Sequence, residues 1–276
     1  MCKMFEVSTS SYFTWMKAGP PERWKKNESL LVTIMDVFEN SKNSYGSPRI
    51  AKELHAMGIS ASKPLVARLM RAAGIQARRR KNFVATTDSK HKNPIAPNVL
   101  DRKFSATRHG EVWVSDITYV RTYQGWLYLT VIIDLFDRKV VGWAMSKGLT
   151  AAETILPAWV MAVTNRPVTQ DLIFHSDRGV QYACDDFTKI LHRNGLITRS
   201  MSRKGNCWDN AVAESFFKSI KVEWIYKQSY TDQKQATLSI FEWIESWDNR
   251  KRRHSSLGYK TIEEYQIINS NFKHAA

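Results

Sequence analysis

Three consecutive segments in the middle of the chain alternate apolar and polar residues with the period of a β-strand. They read EVWVSDITYVRT, GWLYLTVIIDLF and RKVVGWAMS, at residues 111–122, 125–136 and 138–146. Only short turns separate them, a spacing that favours sequential antiparallel strands. Helical and strand patterns then alternate. Helices are predicted at about residues 150–163, 185–193 and 209–224, and strands at about 171–175 and 196–200. This order predicts an α/β fold in which helices cover a mixed sheet.

The residues before this region predict three helices. The first has an apolar stripe made of Leu30, Leu31, Ile34, Met35 and Phe38. A second is predicted at about residues 48–57, with Ser47 as its cap and Pro48 at its first position. A third follows and ends at Gly74, because glycine readily takes the left-handed conformation that closes a helix.

Two arginines of the third helix, Arg68 and Arg71, are predicted to face outward. A helix, a short turn and a second helix with outward arginines is typical of a helix-turn-helix DNA-binding unit. A small helical bundle with solvated arginines is the simpler alternative. The basic run directly downstream favours DNA binding, since clustered cations can grip phosphates. That run is Arg78, Arg79, Arg80 and Lys81.

The positive charge of the chain is concentrated in the same region. Lysine and arginine number 41 against 26 acidic residues, a net charge of +15. Residues 1–110 carry +12 of this excess and the rest of the chain carries +3. The charge favours a polyanionic partner, with nucleic acid ahead of an anionic membrane surface. A composition with 43% apolar residues excludes a disordered basic tail.

Changes in composition divide the chain into five parts. Residues 82–105 lack periodicity and are rich in turn-forming residues, which predicts a linker. It separates a helical domain at 29–81 from a core at 106–225. A segment at 1–28 precedes the helical domain, and a helical segment at 226–276 completes the core. The buried face of that last segment is predicted to consist of Phe241, Trp243, Ile244 and Trp247.

The cysteines and the apolar runs indicate the cellular compartment of the protein. Cys2, Cys184 and Cys207 are far apart and form no Cys-x-x-Cys pair, which argues against structural zinc and for a reducing compartment. The longest apolar runs are too short to cross a bilayer. These features predict a cytoplasmic protein without a membrane partner.

Three acidic residues stand out from their surroundings. Asp116 interrupts the first strand, Asp177 follows the apolar strand before Arg178, and Glu214 lies on the last helix of the core. Each has an ordinary alternative: an outward-facing strand residue, a turn residue, and half of a solvated Glu–Lys pair. On the helix, the stripe of Glu214 also carries Asn210, Lys218 and Lys221.

Several segments together resemble a known family. VWVSDITYV, YLTVIIDLFDRKVVGW, FHSDRGVQY, SMSRKGNCWDNAVAESFFKSIK and NRKRRHSSLGY are similar to the retroviral-type integrase core of second-frame (OrfB) transposases of bacterial insertion sequences. Upstream, YGSPRIAKEL and VARLMRAAGI resemble the helical domain that precedes this core. The resemblance covers about residues 30 to 265.

The resemblance implies a ribonuclease-H-like fold and a catalytic Asp, Asp, Glu triad. By motif position the triad is Asp116, Asp177 and Glu214. The implied cofactor is a pair of Mg²⁺ ions, replaceable by Mn²⁺, with Asp116 shared between the ions, Asp177 on one and Glu214 on the other. Between the last two acids lie 36 residues, where the family usually has 35, so no rigid register is carried through that stretch.

The implied activity is cleavage of insertion-sequence ends, followed by joining of the freed 3′ hydroxyl to target DNA. A hydrolytic ribonuclease-H-like nuclease and an inactive DNA-binding regulator are the alternatives. The implied partners are double-stranded DNA, further copies of the chain on that DNA, and a DNA-binding protein from an upstream frame, as a fusion or a partner. In a bacterium, this protein would be associated with the nucleoid when bound to DNA.

Several residues near the triad are predicted to contact DNA. By resemblance, Lys218 and Lys221 lie where integrase lysines meet the DNA ends, and a mobile loop carries Arg203 and Lys204. Asn210 completes this set. Two neighbours are predicted to be structural. Asp209 is predicted to cap the Glu214 helix. Trp208 is predicted to pack under that helix, with stacking on a base as the alternative.

Overall fold

The computed structural model describes residues 2, 4–19, 21–77 and 93–274 of the chain. They belong to two units, Met1–Arg78 and Arg79–Ala276. The predicted basic run of Arg78, Arg79, Arg80 and Lys81 lies outside the described residues, as do residues 82–92 of the predicted linker.

Four helices build the first unit: α1 (Thr9–Ala18), α2 (Glu22–Asn40), α3 (Ser47–Ala56) and α4 (Lys63–Ala72). Helices α2, α3 and α4 pack around Ile34, Ile50, Leu54 and Val66, whose side chains are fully buried. The chain leaves α3 through Gly58, whose φ of +79° suits glycine far better than other residues. Helices α3 and α4 form the predicted helix-turn-helix pair.

Some details of this unit differ from the prediction. Helix α2 begins well before the predicted boundary at residue 29. Its buried residues are Ile34 and Val37, whereas Met35, predicted in the apolar stripe, is 43% exposed. The N-cap of α3 is Gly46, and Ser47 is already the first helical residue, so the prediction of Ser47 as the cap was wrong.

Five strands form one mixed sheet in the second unit. They are β1 (Val112–Thr122), β2 (Gly125–Asp134), β3 (Val140–Ser146), β4 (Leu172–Ser176) and β5 (Ile197–Met201). Their order is β3-β2-β1-β4-β5. The first three strands pair antiparallel, while β1 with β4 and β4 with β5 pair parallel. This arrangement confirms the predicted mixed sheet and the ribonuclease-H-like fold.

Helices and single turns surround the sheet: α5 (Ile155–Asn165), α6 (Val180–Ala183), α7 (Asp185–Arg193), a 3₁₀ turn (Cys207–Asn210), α8 (Ala211–Glu223), a 3₁₀ turn (Ile225–Lys227), α9 (Gln233–Phe241), a π-helical turn (Glu242–Asp248), a 3₁₀ turn (Ser255–Leu257) and α10 (Ile262–His274). Helix α5 packs closely on β3 because Gly142 has no Cβ, and a Cβ there would collide with the Ala158 carbonyl. The helix begins at Ile155, five residues later than the pattern suggested.

Helix α8 buries a different face from the one predicted. Helical spacing in the sequence predicts that Val212, Phe216 and Ile220 pack on the sheet, but the buried residues of the helix are Ala213, Phe217 and Ile220. Both stripes are apolar, so the sequence does not distinguish them.

The C-terminal segment matches its prediction in part. Trp243, Ile244 and Trp247 are buried, as expected for a segment that completes the core. Phe241 is 47% exposed, so its predicted burial was wrong. Across the described ranges, none of the helices has both the length and the apolar character needed to cross a membrane.

Candidate active site

Strand pairing brings two of the three predicted acids to the same edge of the sheet. The parallel register between β1 and β4 includes Val114 opposite His175. Two residues further along the chain in each case come Asp116, within β1, and Asp177, the first residue after β4. Their carboxyl groups therefore lie at neighbouring positions, where β4 ends and the two strands part.

Helix α8 brings the third acid to this edge. Just before the helix, Asn210 donates a hydrogen bond from Nδ2 to the Ser115 carbonyl oxygen, at 2.9 Å. This bond fixes the start of α8 beside β1, and Glu214 follows one helical turn later. The charges of Asp177 and Glu214 both act on the carboxyl of Asp116, so the three predicted acids lie near one another, although their ligand atoms are not all within 4.8 Å of each other.

The electrostatics of the acids reflect this grouping. Burial, the charge of Asp177 and that of Glu214 hold the pKa of the Asp116 carboxyl well above its ordinary value. Burial also raises the pKa of Glu214. A cluster of like charges with raised pKa values is a place where a cation binds favourably, and such perturbed groups concentrate at functional sites.

Hydrogen bonds hold the acids and their neighbouring residues in place. Asp177 Oδ1 accepts a hydrogen bond from the Gly179 backbone N–H at 2.9 Å. The Ser115 hydroxyl donates to the Val131 carbonyl oxygen at 2.8 Å, so the Tyr182 hydroxyl, 2.9 Å from Ser115 Oγ, must be the donor to that oxygen. Burial, Asp116 and Asp177 raise the pKa of Tyr182, which keeps this donor protonated.

The two predicted lysines on α8 differ in environment. The Lys221 ammonium lies 5.0 Å from the ring centroid of Tyr119. Burial lowers the pKa of Lys221, and the nearby charge of Asp116 opposes this shift, so the ammonium adjoins the acidic cluster. Lys218 is exposed. In the first unit, Arg68 and Arg71 are exposed as well.

The basic loop that precedes α8 is held in place by Asp209. This carboxylate is fully buried and accepts hydrogen bonds of 2.8 to 3.0 Å from Asn98, Arg102 and Arg203. The bonds from Arg203 are the main reason why the pKa of Asp209 lies well below its ordinary value. Asp209 is therefore not the cap of α8, a position that Asn210 occupies.

The other predicted DNA-contact residues near the triad differ in exposure and in their partners. The guanidinium of Arg203 is engaged by Asp209, although the side chain is 48% exposed. Lys204 is exposed. Asn210 is only 3% exposed and bonded to Ser115, which suits a structural role better than a DNA contact.

Trp208 differs most clearly from its preferred interpretation. Its side chain is 68% exposed, so the prediction that it packs under α8 was wrong.

A second acidic cluster lies at the C-terminal end of β2. Ligand atoms of His109, Asp134 and Asp137 all fall within 4.8 Å of one another. Arg166 already supplies a positive charge there, at 2.5 Å from Asp134 Oδ2 and 2.9 Å from Asp137 Oδ2. Although burial opposes it, hydrogen bonds from His109 and Arg166 hold the pKa of Asp137 below its ordinary value. We interpret this cluster as a structural ion pair.

Sequence reasoning missed the residues that support both clusters. Tyr182 and Arg166 carry no local signal, because their partners are distant in the chain. His175 is fully buried, with Nδ1 2.8 Å from Ser200 Oγ and Nε2 3.2 Å from Ser202 Oγ. Burial lowers the pKa of His175 to about 4, so the ring is neutral and structural.

Family models and one solved structure match parts of this chain. A family model described as "Integrase core domain" matches residues 106–207, and another of the same description matches residues 196–261. An "HTH-like domain" model matches residues 25–83. The simian T-cell lymphotropic virus intasome, solved in complex with PP2A regulatory subunit B56 gamma, aligns at 14% identity and a TM-score of 0.48, over 80% of this chain and 70% of that chain.

Two curated relatives match over nearly the whole chain. The "Insertion element IS600 uncharacterized 31 kDa protein" of Shigella sonnei is 40% identical over 258 residues, or 94% of each chain. "Transposase InsF for insertion sequence IS3A" of Escherichia coli (strain K12) is 37% identical over 271 residues, 98% of this chain and 93% of that one. The chain therefore belongs to the IS3 family of insertion-sequence transposases, DDE-type polynucleotidyl transferases with an integrase core.

Proposed function

We propose that Asp116, Asp177 and Glu214 are the catalytic triad of this transposase. In this proposal the enzyme cleaves DNA at the ends of its insertion sequence and joins the freed 3′ hydroxyl to target DNA. The observation that carries the proposal is the grouping of the three carboxyl groups where β1, β4 and the start of α8 come together.

Magnesium fits this donor set. Mg²⁺ is a hard cation that prefers oxygen ligands, and the three side chains offer carboxylate oxygens. Burial and mutual repulsion raise the pKa of Asp116, and a divalent cation that binds there relieves the repulsion. The chemistry that bound Mg²⁺ supplies is neutralisation of the scissile phosphate and activation of the attacking oxygen, for which we propose two ions. Mn²⁺ is expected to substitute.

The side chains of the site are proposed to have different roles. Asp116 is proposed to hold both ions, Asp177 one of them and Glu214 the other. The buried pair of Ser115 and Tyr182 keeps β1 in place beneath them. No protein nucleophile is required, because water or a DNA hydroxyl attacks the phosphorus directly.

DNA binding is proposed to use exposed and half-exposed cations of both units. Near the triad these are Lys204, Lys218 and Lys221, with Arg203 acting while it stays bound to Asp209. In the first unit Arg68 and Arg71 are available on α4. The run from Arg78 to Lys81 is proposed to add phosphate contacts, and further copies of the chain and an upstream-frame protein are proposed as partners on the DNA.

Replacement of Asp116 by Asn tests the proposal. The variant Asp116→Asn loses one metal-binding carboxylate and keeps the basic surface, so DNA ends should bind with near wild-type affinity while cleavage falls at least about 10³-fold. The assay separates cut, joined and merely bound DNA on a gel. Asp137→Asn, in the ion pair with Arg166, is the control and should still cut and join.

Three outcomes would contradict the proposal. Cleavage by Asp116→Asn at the wild-type rate would remove Asp116 from the reaction. Wild-type enzyme that cuts without joining would be a hydrolytic nuclease. Wild-type enzyme that only binds DNA would be a regulator.

A further inference from the structure

Trp208 is a large aromatic side chain exposed beside the proposed catalytic centre. It lies on the 3₁₀ turn Cys207–Asn210 and is 68% exposed, although the next two residues, Asp209 and Asn210, are 0% and 3% exposed. The turn therefore buries its polar residues Asp209 and Asn210 and exposes the indole of Trp208 to solvent. Tryptophan ordinarily buries most of its surface, so an exposed indole beside buried polar residues is available to an external partner.

The turn that presents Trp208 is fixed on its C-terminal side. Asp209 is bound by Arg203, Arg102 and Asn98, and Asn210 is bound to the Ser115 carbonyl oxygen. The backbone at Trp208 therefore has little freedom to turn the indole inward. A ligand that stacks on a fixed ring loses less conformational entropy than one that must first order it.

The position of Trp208 places a ligand close to the triad. Asn210 contacts the residue that precedes Asp116, and Trp208 is two residues from Asn210, so their Cα atoms are at most about 7 Å apart. Glu214 follows Trp208 by six residues, on the helix that continues this turn. An aromatic ligand on the indole therefore lies within a few nucleotides of a phosphate held by the triad.

The charges around Trp208 favour a polyanion over an apolar protein surface. Lys204 is exposed on the same loop. The side chains of Arg203 and Arg102, 48% and 44% exposed, pair with the buried Asp209, and Arg203 also pairs with the exposed Asp101. Nucleobases carried on a phosphate backbone satisfy both the cations and the aromatic ring. A paired base is already stacked in its duplex, so an unpaired base binds the ring at a lower cost.

We propose that Trp208 is a stacking site for an unpaired nucleobase of the DNA that is cut, a few nucleotides from the scissile bond. The proposal rests on the proposed function, since it takes Asp116, Asp177 and Glu214 as the place of cleavage. Stacking there holds the DNA end open and positions the scissile phosphate.

A double-mutant cycle between the protein and the DNA tests this contact. Binding of element-end DNA to full-length Asp116→Asn protein is measured while an abasic site is moved through the nucleotides that flank the cleavage site. At one position, loss of the base should weaken binding about 5- to 100-fold. Adding Trp208→Ala should weaken binding to intact DNA by a similar factor and make it insensitive to the abasic site at that position. Trp208→Phe should retain most of the affinity.

Trp15→Ala is the matched control, because Trp15 is 69% exposed and lies on α1 of the other unit. It should leave the response to the abasic site unchanged. Since the indole of Trp208 is mostly exposed, its removal should preserve the fold, as circular dichroism can verify.

Additive losses at every abasic position would overturn the stacking proposal, and so would unchanged binding of the Trp208→Ala protein. A change in the sedimentation of DNA-free Trp208→Ala protein would assign the indole to a protein contact instead. Cleavage by the Asp116→Asn protein would overturn the proposed function, whereas additivity in the cycle would overturn the stacking proposal alone.

Discussion

At the scale of single residues, Asp209 holds together three parts of the catalytic unit. Its carboxylate binds the segment before β1 through Asn98 and Arg102, and the loop after β5 through Arg203. Because Asp209 lies in the turn that leads into α8, two residues before its first residue, these bonds also fix the start of the helix that carries Glu214. A residue that touches no DNA in our proposal can therefore set the geometry of the reaction.

We predict that Asp209→Asn lowers the rate of cleavage by about 100-fold at saturating DNA, because a misplacement of Glu214 by about 1 Å is sufficient for such a loss. The variant should also need more Mg²⁺ for half-maximal cleavage. Cleavage rates measured across a Mg²⁺ titration give both quantities.

Asp137→Asn serves as the control for Asp209→Asn. It removes another fully buried, arginine-bound carboxylate, from the structural ion pair. If both variants show the same Mg²⁺ requirement per folded molecule, Asp209 has no positioning role.

At the scale of elements, the structure explains where the sequence patterns were ambiguous. The existence of α8 followed from its periodicity, but Phe216 and Phe217 are both apolar, and only contact with the sheet selects Phe217 for burial. Similarly, the pattern predicted a longer α5, whose first residues form turns before Ile155. Such choices depend on tertiary packing, which local propensity does not contain.

Helix α4 gives a prediction for the DNA-binding unit. Its exposed Arg68 and Arg71 should contact phosphates, so Arg68→Ala and Arg71→Ala should each reduce the slope of log affinity against log salt by about 1. The salt slope of Lys63→Ala, which removes another exposed cation of the same helix, is compared with the slopes of the two arginine variants. A salt slope that neither arginine variant changes would assign the two side chains to solvent.

At the scale of the whole molecule, the sheet could be predicted and the buried ion pairs could not. The mixed sheet followed from a predicted meander and then alternating helices and strands. Residue patterns alone left Asp116, Asp177 and Glu214 with ordinary alternatives, and the family resemblance singled them out. Pairs such as Arg102 with Asp209 join residues more than a hundred positions apart, and no local pattern encodes such a contact.

The most direct test of the central claim is the location of bound Mn²⁺ by anomalous X-ray scattering from crystals grown with the ion. The described residues include two acidic clusters, and our account assigns the metal to one. It predicts Mn²⁺ between Asp116, Asp177 and Glu214, with its loss in Asp116→Asn crystals. Mn²⁺ bound only at His109, Asp134 and Asp137 would contradict the account.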